Sequence, residues 1–363
     1  MSSITGEKIK LSVFGESHGS AIGCVVDGLP AGIKLDMQEI EREMARRAPG
    51  KDKTSTSRKE ADLPRILSGV LNGTTTGAPL AMIIENTNTR SGDYENVHLV
   101  PRPGHSDYPA FVKYGGFNDV RGGGHFSGRL TAPIVFAGAI AKQILRKHEI
   151  CIGSHILQIG NVHDDAIDRV NISPKTLEGL TYNFFPVLRK EAEQEMRGFI
   201  ETARLSGDSA GGVIECAVTG IPVGLGSNIF STVESKLSAA LFAIPAVKGV
   251  QFGAGFGFAE MLGSAANDPY EIKNGSVAFK SNNNGGVLGG MSSGAPLVFS
   301  IAVKPTPSIS KEQDSVDLAT MQNEKLVIKG RHDPCIVPRA VPVAEATAAL
   351  VVLDLIMQDG IKG

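Results

Sequence analysis

The chain is 363 residues long, with 42% apolar residues, 20% charged residues and a formal net charge of -2. That balance is ordinary for a globular protein, and a chain so near neutrality has no overall field to draw it onto nucleic acid or an acidic membrane. Its 43 glycines exceed the usual share of about 7% but follow no period, which excludes collagen-like and low-complexity chains.

In chain order, Lys8 to Phe14 and Ala21 to Val26 alternate as strands, with GESHG between them. Asp36 is a good N-cap, and Glu39 three residues on predicts a capping box. Met37, Ile40 and Met44 continue as a helical stripe that Pro49-Gly50 ends. Pro64 to Leu71 and Leu80 to Glu85 read as strands. From Thr131 to Lys147 the chain is apolar nearly all round at first, which predicts a helix buried between layers. Pro186 to Leu205 and Ser231 to Ala243 read as amphipathic helices. Gly211 to Val218, Gly249 to Phe256 and Leu297 to Val303 read as strands, and Val341 to Met357 as a second very apolar helix. The irregular mixture predicts an α+β fold with antiparallel sheet. No linker or composition break divides the chain, so residues 1–363 are expected to form one domain.

The four cysteines (Cys24, Cys151, Cys216, Cys335) lie far apart, with no CxxC and no histidine at zinc-site spacing, and read as reduced thiols. The opening stretch has no basic segment followed by an apolar one, so no signal peptide is expected. The longest apolar run, Ile134 to Ala141, is far short of the roughly 20 residues of a membrane helix. The expectation is a soluble, cytoplasmic protein with no membrane, metal or nucleic-acid partner.

Polar residues gather in glycine-rich loops: GESHG (15–19), the basic, hydroxyl-rich stretch from Arg46 to Asp62, RPGHSDY (102–108), VRGGGHFSGR (120–129), NNNGGVLGGMSSG (282–294), KPTPSI (304–309) and GRHDPC (330–335). Glycine lets backbone N–H groups approach phosphate oxygens, and the cations beside it neutralise charge. Taken singly, each loop is also a plain turn, Arg46, Arg47 and Arg58 a solvated helix end and its following loop, and His148 or His163 a surface residue. Their recurrence on a nearly neutral chain points to an anionic small-molecule ligand. There is no GxxxxGK[ST], and RGGGHFSG lacks the GxGxxG spacing, so P-loop and Rossmann nucleotide sites are disfavoured.

In this order the six motifs GESHG, RPGHSDY, RGGGHFSGR, NNNGGVLGGMSSG, KPTPSI and GRHDPC resemble the chorismate synthase family, from about residue 7 to 357. The resemblance implies a layered sandwich with helices packed between antiparallel sheets, and homotetrameric assembly. It implies conversion of 5-enolpyruvylshikimate-3-phosphate to chorismate and phosphate by anti-1,4-elimination, with reduced FMN required and no net redox change. His18 and His105 match the family's catalytic histidines, and Asp333 the group that relays a proton, although an Asp before proline is also an ordinary turn residue. Arg47, Arg58, Arg129 and Arg339 are the substrate-binding candidates. For FMN the matching positions are His125, Phe126, Ser127, Pro245, Ala246, Gly289, Lys304, Pro305, Thr306, Pro307, Ser308 and Arg331, with Arg47 and Lys53 also assigned to cofactor binding.

The chain departs from the family at GGGHFSGRLT, where many members read GGGRSSARET: His125, Phe126 and Leu130 replace Arg, Ser and Glu, and Pro245 stands where Asn is common. Flavin is therefore expected to be held by main-chain donors, Lys304 and Arg331, and the triple glycine is expected to let the backbone approach it. Two other classes compete with this reading. A flavin-dependent NADPH oxidoreductase would use the same cofactor for net hydride transfer, and NADPH as a flavin reductant stays open. An RNA- or phosphopeptide-binding module needs aromatic stacking partners, whereas this chain has no Trp and 6% aromatic residues.

Overall fold

The structure, a computed structural model, describes residues 3–50, 62–86, 99–328 and 332–360. The first half supplies β1 (Ile4–Thr5), β2 (Lys10–Gly15), β3 (Ala21–Asp27), β4 (Arg65–Ile66), β5 (Val70–Leu71), β6 (Thr74–Thr75) and β7 (Leu80–Glu85). Beyond them come β8 (Cys151–Ile159), β9 (Val162–His163), β10 (Gly212–Thr219), β11 (Val247–Phe252), β12 (Tyr270–Lys273), β13 (Ser276–Phe279), β14 (Val287–Leu288), β15 (Met291–Ser292), β16 (Leu297–Val303), β17 (Gln313–Asp317) and β18 (Gln322–Leu326). One five-stranded sheet has the order β1-β2-β3-β7-β4 and the other β11-β16-β10-β8-β9, while the remaining strands form two-stranded hairpins. Among the described residues every pairing between these strands is antiparallel.

The helices are α1 (Met37–Arg47), α2 (Asp107–Tyr114), α3 (Thr131–Arg146), α4 (Pro174–Leu180), α5 (Lys190–Leu205), α6 (Val233–Phe242), α7 (Gly263–Ala266) and α8 (Val337–Asp359). Helix α3 lies on β3 and β7, α8 lies on β8 and β10, and the two helices pack on each other with α1 beside both. One core therefore runs from Ile22, Leu80 and Met82 of the first sheet through the helices to Ile214, Phe299 and Ile301 of the second. A helix sandwiched this way must be apolar on most faces, as α3 and α8 are. Their approach is close because Gly138 has no side chain: a Cβ there would lie 2.3 Å from Ala346 Cβ.

Helix α8 is long and apolar enough to cross a membrane by composition, a length that the shorter run read from sequence did not foresee, but most of its residues are buried inside the protein. Two of its three acidic side chains, Asp354 and Glu345, tie it to distant parts of the chain. Asp354 accepts the backbone N–H groups of Glu7, Lys8 and Ile9 (3.1, 2.7 and 2.8 Å), tying the N-terminal segment to the last helix. Glu345, fully buried, accepts both Arg46 guanidinium nitrogens (2.6 and 2.9 Å) and the Lys142 ammonium (2.5 Å). Glu43 closes this four-charge cluster through Arg46 (2.8 Å), and α1 is thereby fixed against α3 and α8.

The layered α+β reading agrees with this architecture, with local differences. Asp36 caps α1 by accepting the Glu39 N–H (3.1 Å), but the capping box does not close. The Glu39 carboxylate is drawn to Arg146 (2.5 and 3.0 Å), and the Asp36 N–H donates to Gln143 Oε1 (3.0 Å). The single strand read over Pro64 to Leu71 is broken into β4 and β5 by Gly69, at φ +83°. Helix α5 starts only at Lys190, and β11 ends at Phe252. All four cysteines are free, and burial pushes the Cys24, Cys216 and Cys335 thiols up to about 12.

Candidate active site

The sequence RGGGHF folds as an irregular turn in which Gly122, Gly123 and Gly124 all have positive φ (+60°, +84° and +53°). Such backbone is costly for any residue with a Cβ. The nearest protein neighbours of these glycines include the two candidate histidines, and Gly122 itself lines the cleft described below. A Cβ on Gly122 would lie 2.6 Å from His18 Cδ2 and 2.8 Å from Ser17 Oγ, and one on Gly123 would lie 3.3 Å from His105 Nε2. At Gly124 the obstacle is the Asp119 carbonyl, 2.0 Å away. The Gly124 carbonyl in turn accepts the Ser17 N–H (3.0 Å), so the turn and the GESHG loop are locked together.

His105 belongs to a three-residue cluster at the start of α2. Its Nδ1–H donates to Asp107 Oδ1 at 2.5 Å, which leaves Nε2, beside Gly123, as the nitrogen able to exchange a proton. Asp107 also accepts from Arg102 Nε and Nη2 (2.7 and 2.8 Å). Burial alone would raise the Asp107 carboxyl, but hydrogen bonds from Arg102 and His105 outweigh it and hold it well below the usual carboxylate range.

The candidate arginines form a second network. Asp62, whose side chain is fully buried, accepts Arg47 Nη1 at 2.7 Å with one oxygen and Arg129 Nη1 at 2.6 Å with the other. Arg129 Nε donates to Asn86 Oδ1 (2.7 Å), and Arg47 Nη2 to the Gly128 carbonyl (3.0 Å). Arg339 links on by donating from Nε to the Arg47 carbonyl (3.0 Å) and from Nη1 to Asp333 Oδ2 (2.5 Å). Burial draws the Arg47 guanidinium down to about 10, with Asp62 opposing and Arg339 and Arg129 adding to the fall. Burial works the other way on Asp62, but the two arginines win and lower its carboxyl. Asp62 adopts φ +47°, a conformation uncommon for a non-glycine residue.

Both networks open on one cleft of about 720 Å³. Among the described residues six cations line it: Arg47, Arg102, Arg129, Arg339, Lys248 and Lys304. Among the described residues the carboxylates that compensate them, Asp333 at the wall and Asp62 and Asp107 in contact with the arginines, number three, which leaves these side chains a positive surplus. Apolar side chains complete the lining, with Ile244, Pro245, Val247, Ile336 and Val343. Thr306 Oγ1 is buried with no hydrogen-bond partner in the described residues, on a residue that faces this space. The arrangement suits a flat, partly apolar ring together with several negative charges.

Most sequence-predicted residues meet here: Arg47, His105, His125, Phe126, Ser127, Arg129, Pro245, Ala246, Lys304, Thr306, Pro307, Ser308, Asp333 and Arg339 all line the cleft. His18 does not line it; its ring sits behind Gly122, next to cleft-lining Ser17. Pro305 is also outside the lining. Gly289 lies at the β14–β15 turn, next to Gly290, which accepts the N–H of Val233 at the start of α6. Phe242, at the cleft, ends that helix, about 15 Å further on for ten residues. Lys53, Arg58 and Arg331 lie outside the described residues. Asp62, Asp107, Arg102 and Lys248 were not singled out from the sequence.

The chorismate synthase family model matches residues 9–357. The chorismate synthase of Thermococcus kodakarensis is 47% identical over 353 residues, covering 97% of each chain. That of Dehalococcoides mccartyi is 45% identical over 367 residues, covering 99% of this chain and 98% of its own. A solved structure described as the crystal structure of chorismate synthase aligns with a TM-score of 0.77 at 29% identity, covering 98% of this chain and 93% of its own.

Proposed function

The chain belongs to the chorismate synthase family, lyases of the shikimate pathway, and from that premise we propose that its cleft eliminates phosphate from 5-enolpyruvylshikimate-3-phosphate to give chorismate, with reduced FMN bound beside the substrate. The observation that carries this reading is the convergence, in one cleft, of Arg47, Arg129, Arg339, His105 and Asp333 with apolar side chains. The substrate bears two carboxylates and a phosphate, and guanidinium forks match such anions bidentately. Arg47, Arg129 and Arg339 are already ordered for this by Asp62 and Asp333.

The residues present also fit FMN. The apolar side chains suit its ring, Lys304 suits its charge, and the orphaned Thr306 hydroxyl supplies a polar contact. Ser127, Pro307 and Ser308 stand with them along the cleft. When bound, reduced FMN supplies an electron-rich ring that lends electron density and takes up hydrogen. The protein's part is position and proton traffic. His105 exchanges a proton at Nε2, and Asp333, held by Arg339, accepts one in the cleft. His18 protonates the departing phosphate in this scheme, which requires the two to meet past Gly122 and Ser17.

Anaerobic phosphate release from 5-enolpyruvylshikimate-3-phosphate tests the reading. Turnover is expected only with reduced FMN; turnover with oxidised FMN, or without flavin, refutes it. Assembly as a cytoplasmic homotetramer is part of the same proposal, and light scattering that reports a 38.2 kDa monomer at micromolar concentration contradicts it.

A further inference from the structure

One side chain keeps the proton of His105 on Nδ1. Asp107, the first residue of α2, is buried, and its two oxygens are engaged unequally. Oδ2 accepts the backbone N–H of Arg102 at 3.0 Å and its Nε–H at 2.7 Å. Oδ1 accepts from Arg102 Nη2 at 2.8 Å and is the oxygen that meets His105 Nδ1, at 2.5 Å. An ionised carboxylate only accepts, so this contact requires the proton on Nδ1. The other groups beside the ring do not require it. Ser106 Oγ is 3.4 Å from Nδ1, and a hydroxyl can donate or accept. Arg102 Nη2 is 3.1 Å from Nδ1 and 3.4 Å from Nε2, a near-equal separation that puts it over the ring rather than in line with either nitrogen. A guanidinium only donates, so it gives no support to a proton on the nitrogen it approaches. The start of a helix favours negative charge, and the hydrogen bonds from Arg102 and His105 depress the Asp107 carboxyl, which keeps it an acceptor.

We propose that Asp107 is a positioning residue for the reaction: by accepting the Nδ1 proton it keeps His105 Nε2 bare beside Gly123, an assignment that rests on the reading of the cleft given above. The isosteric amide shows what the charge does. In Asp107→Asn one of the two oxygen positions becomes a nitrogen that donates. At the Oδ2 position that nitrogen would face two Arg102 donors, and at the Oδ1 position one. The amide therefore settles with its nitrogen toward His105. Its N–H then points at Nδ1, and the ring proton moves to Nε2. The shape of the cluster is kept, and the nitrogen that could accept a proton becomes one that donates.

The tautomer is read from solid-state nitrogen NMR of the histidine-labelled full chain, above about pH 8, where an ordinary imidazole is neutral. His105→Gln removes the two signals of this ring and so identifies them. The unaltered chain should show the proton on Nδ1 and Asp107→Asn should show it on Nε2. Phosphate release across a range of substrate concentrations should then give Asp107→Asn a kcat lower by at least about tenfold, with the substrate KM within about threefold. Asp107→Glu keeps an acceptor for Nδ1 and should recover part of that loss. An unaltered chain with the proton on Nε2 overturns the proposal without any variant. So does an Asp107→Asn chain that moves the proton and keeps its kcat, or one that raises KM alone. An Asp107→Asn chain that melts earlier with the tautomer unmoved makes Asp107 a structural partner of Arg102 and overturns it too. No phosphate release from the unaltered chain overturns the reading of the cleft and this role with it; the tautomer, measured without substrate, tells that failure from a failure of Asp107 to hold the ring.

Discussion

His125→Ala isolates the departure from the family pattern at the triple-glycine loop. The His125 ring is already engaged on both sides. Nδ1–H donates to the Gly15 carbonyl at 2.8 Å, and in that neutral tautomer Nε2 accepts from Ser3 Oγ at 3.1 Å. Both partners belong to the first sheet and its N-terminal lead, so the ring staples the loop to that sheet. Neither bond is buried, and a net neutral hydrogen bond contributes about 0.5–1.5 kcal/mol. The variant should therefore lose about 1–2 kcal/mol of stability. Flavin affinity should change by no more than about tenfold, or 1.4 kcal/mol, because the ring's polar atoms are spent within the protein. Arg129→Ala should cost more affinity, since it leaves Asp62 with one cation and an anionic ligand without a charge-assisted donor. Titration of flavin fluorescence, beside thermal unfolding of each variant, measures both quantities. If His125→Ala abolishes binding while Arg129→Ala binds normally, the loop contacts its ligand through the imidazole and this account of it is wrong.

Asp62→Asn should destabilise the fold by about 3–5 kcal/mol in urea unfolding, since it strands two buried guanidinium groups beside each other. Acid should act through the same group and through Asp107: both carboxyls are depressed in the folded state, so their contribution is complete above the ordinary carboxylate value of about 4 and is lost as pH falls below it. A urea midpoint that rises on acidification through that range would contradict the sign. His105→Ala should lower kcat by roughly 10- to 10⁴-fold with little change in melting temperature, because Asp107 keeps its three bonds from Arg102; a melting temperature that falls in step with activity would make His105 a structural residue. Gly122→Ala should cost about 1–3 kcal/mol from its φ of +60° and displace His18, seen as lost stability and lost turnover together; a variant as stable and active as the unaltered chain would show that the turn yields freely.

Apolar pattern made the core legible. The fully apolar stretches that became α3 and α8 announced a buried helical layer, and the segments read as strands at 80–85 and 297–303 returned strands with matching ends. What failed was local and had local causes. Gly69 split a strand that hydrophobicity alone would have continued, and Arg146 drew Glu39 away from its cap. Strand β8, nine residues long, was passed over altogether, although its Ile152, Ile156 and Ile159 recur toward the core.

The site was legible in most of its cations, in its histidines and, through the family resemblance, in Asp333, and silent in Asp62 and Asp107, and the reason is physical. An arginine in a glycine-rich loop announces an anion, because a guanidinium seldom stays there without one. A lone aspartate announces nothing, since Asp62, Asp107 and Asp333 read equally well as turn residues. Only the folded chain shows Asp62 spanning two arginines 82 positions apart, or one carboxylate holding both Arg102 and His105. Those acids decide which cations are half-neutralised, and no motif in the sequence records it.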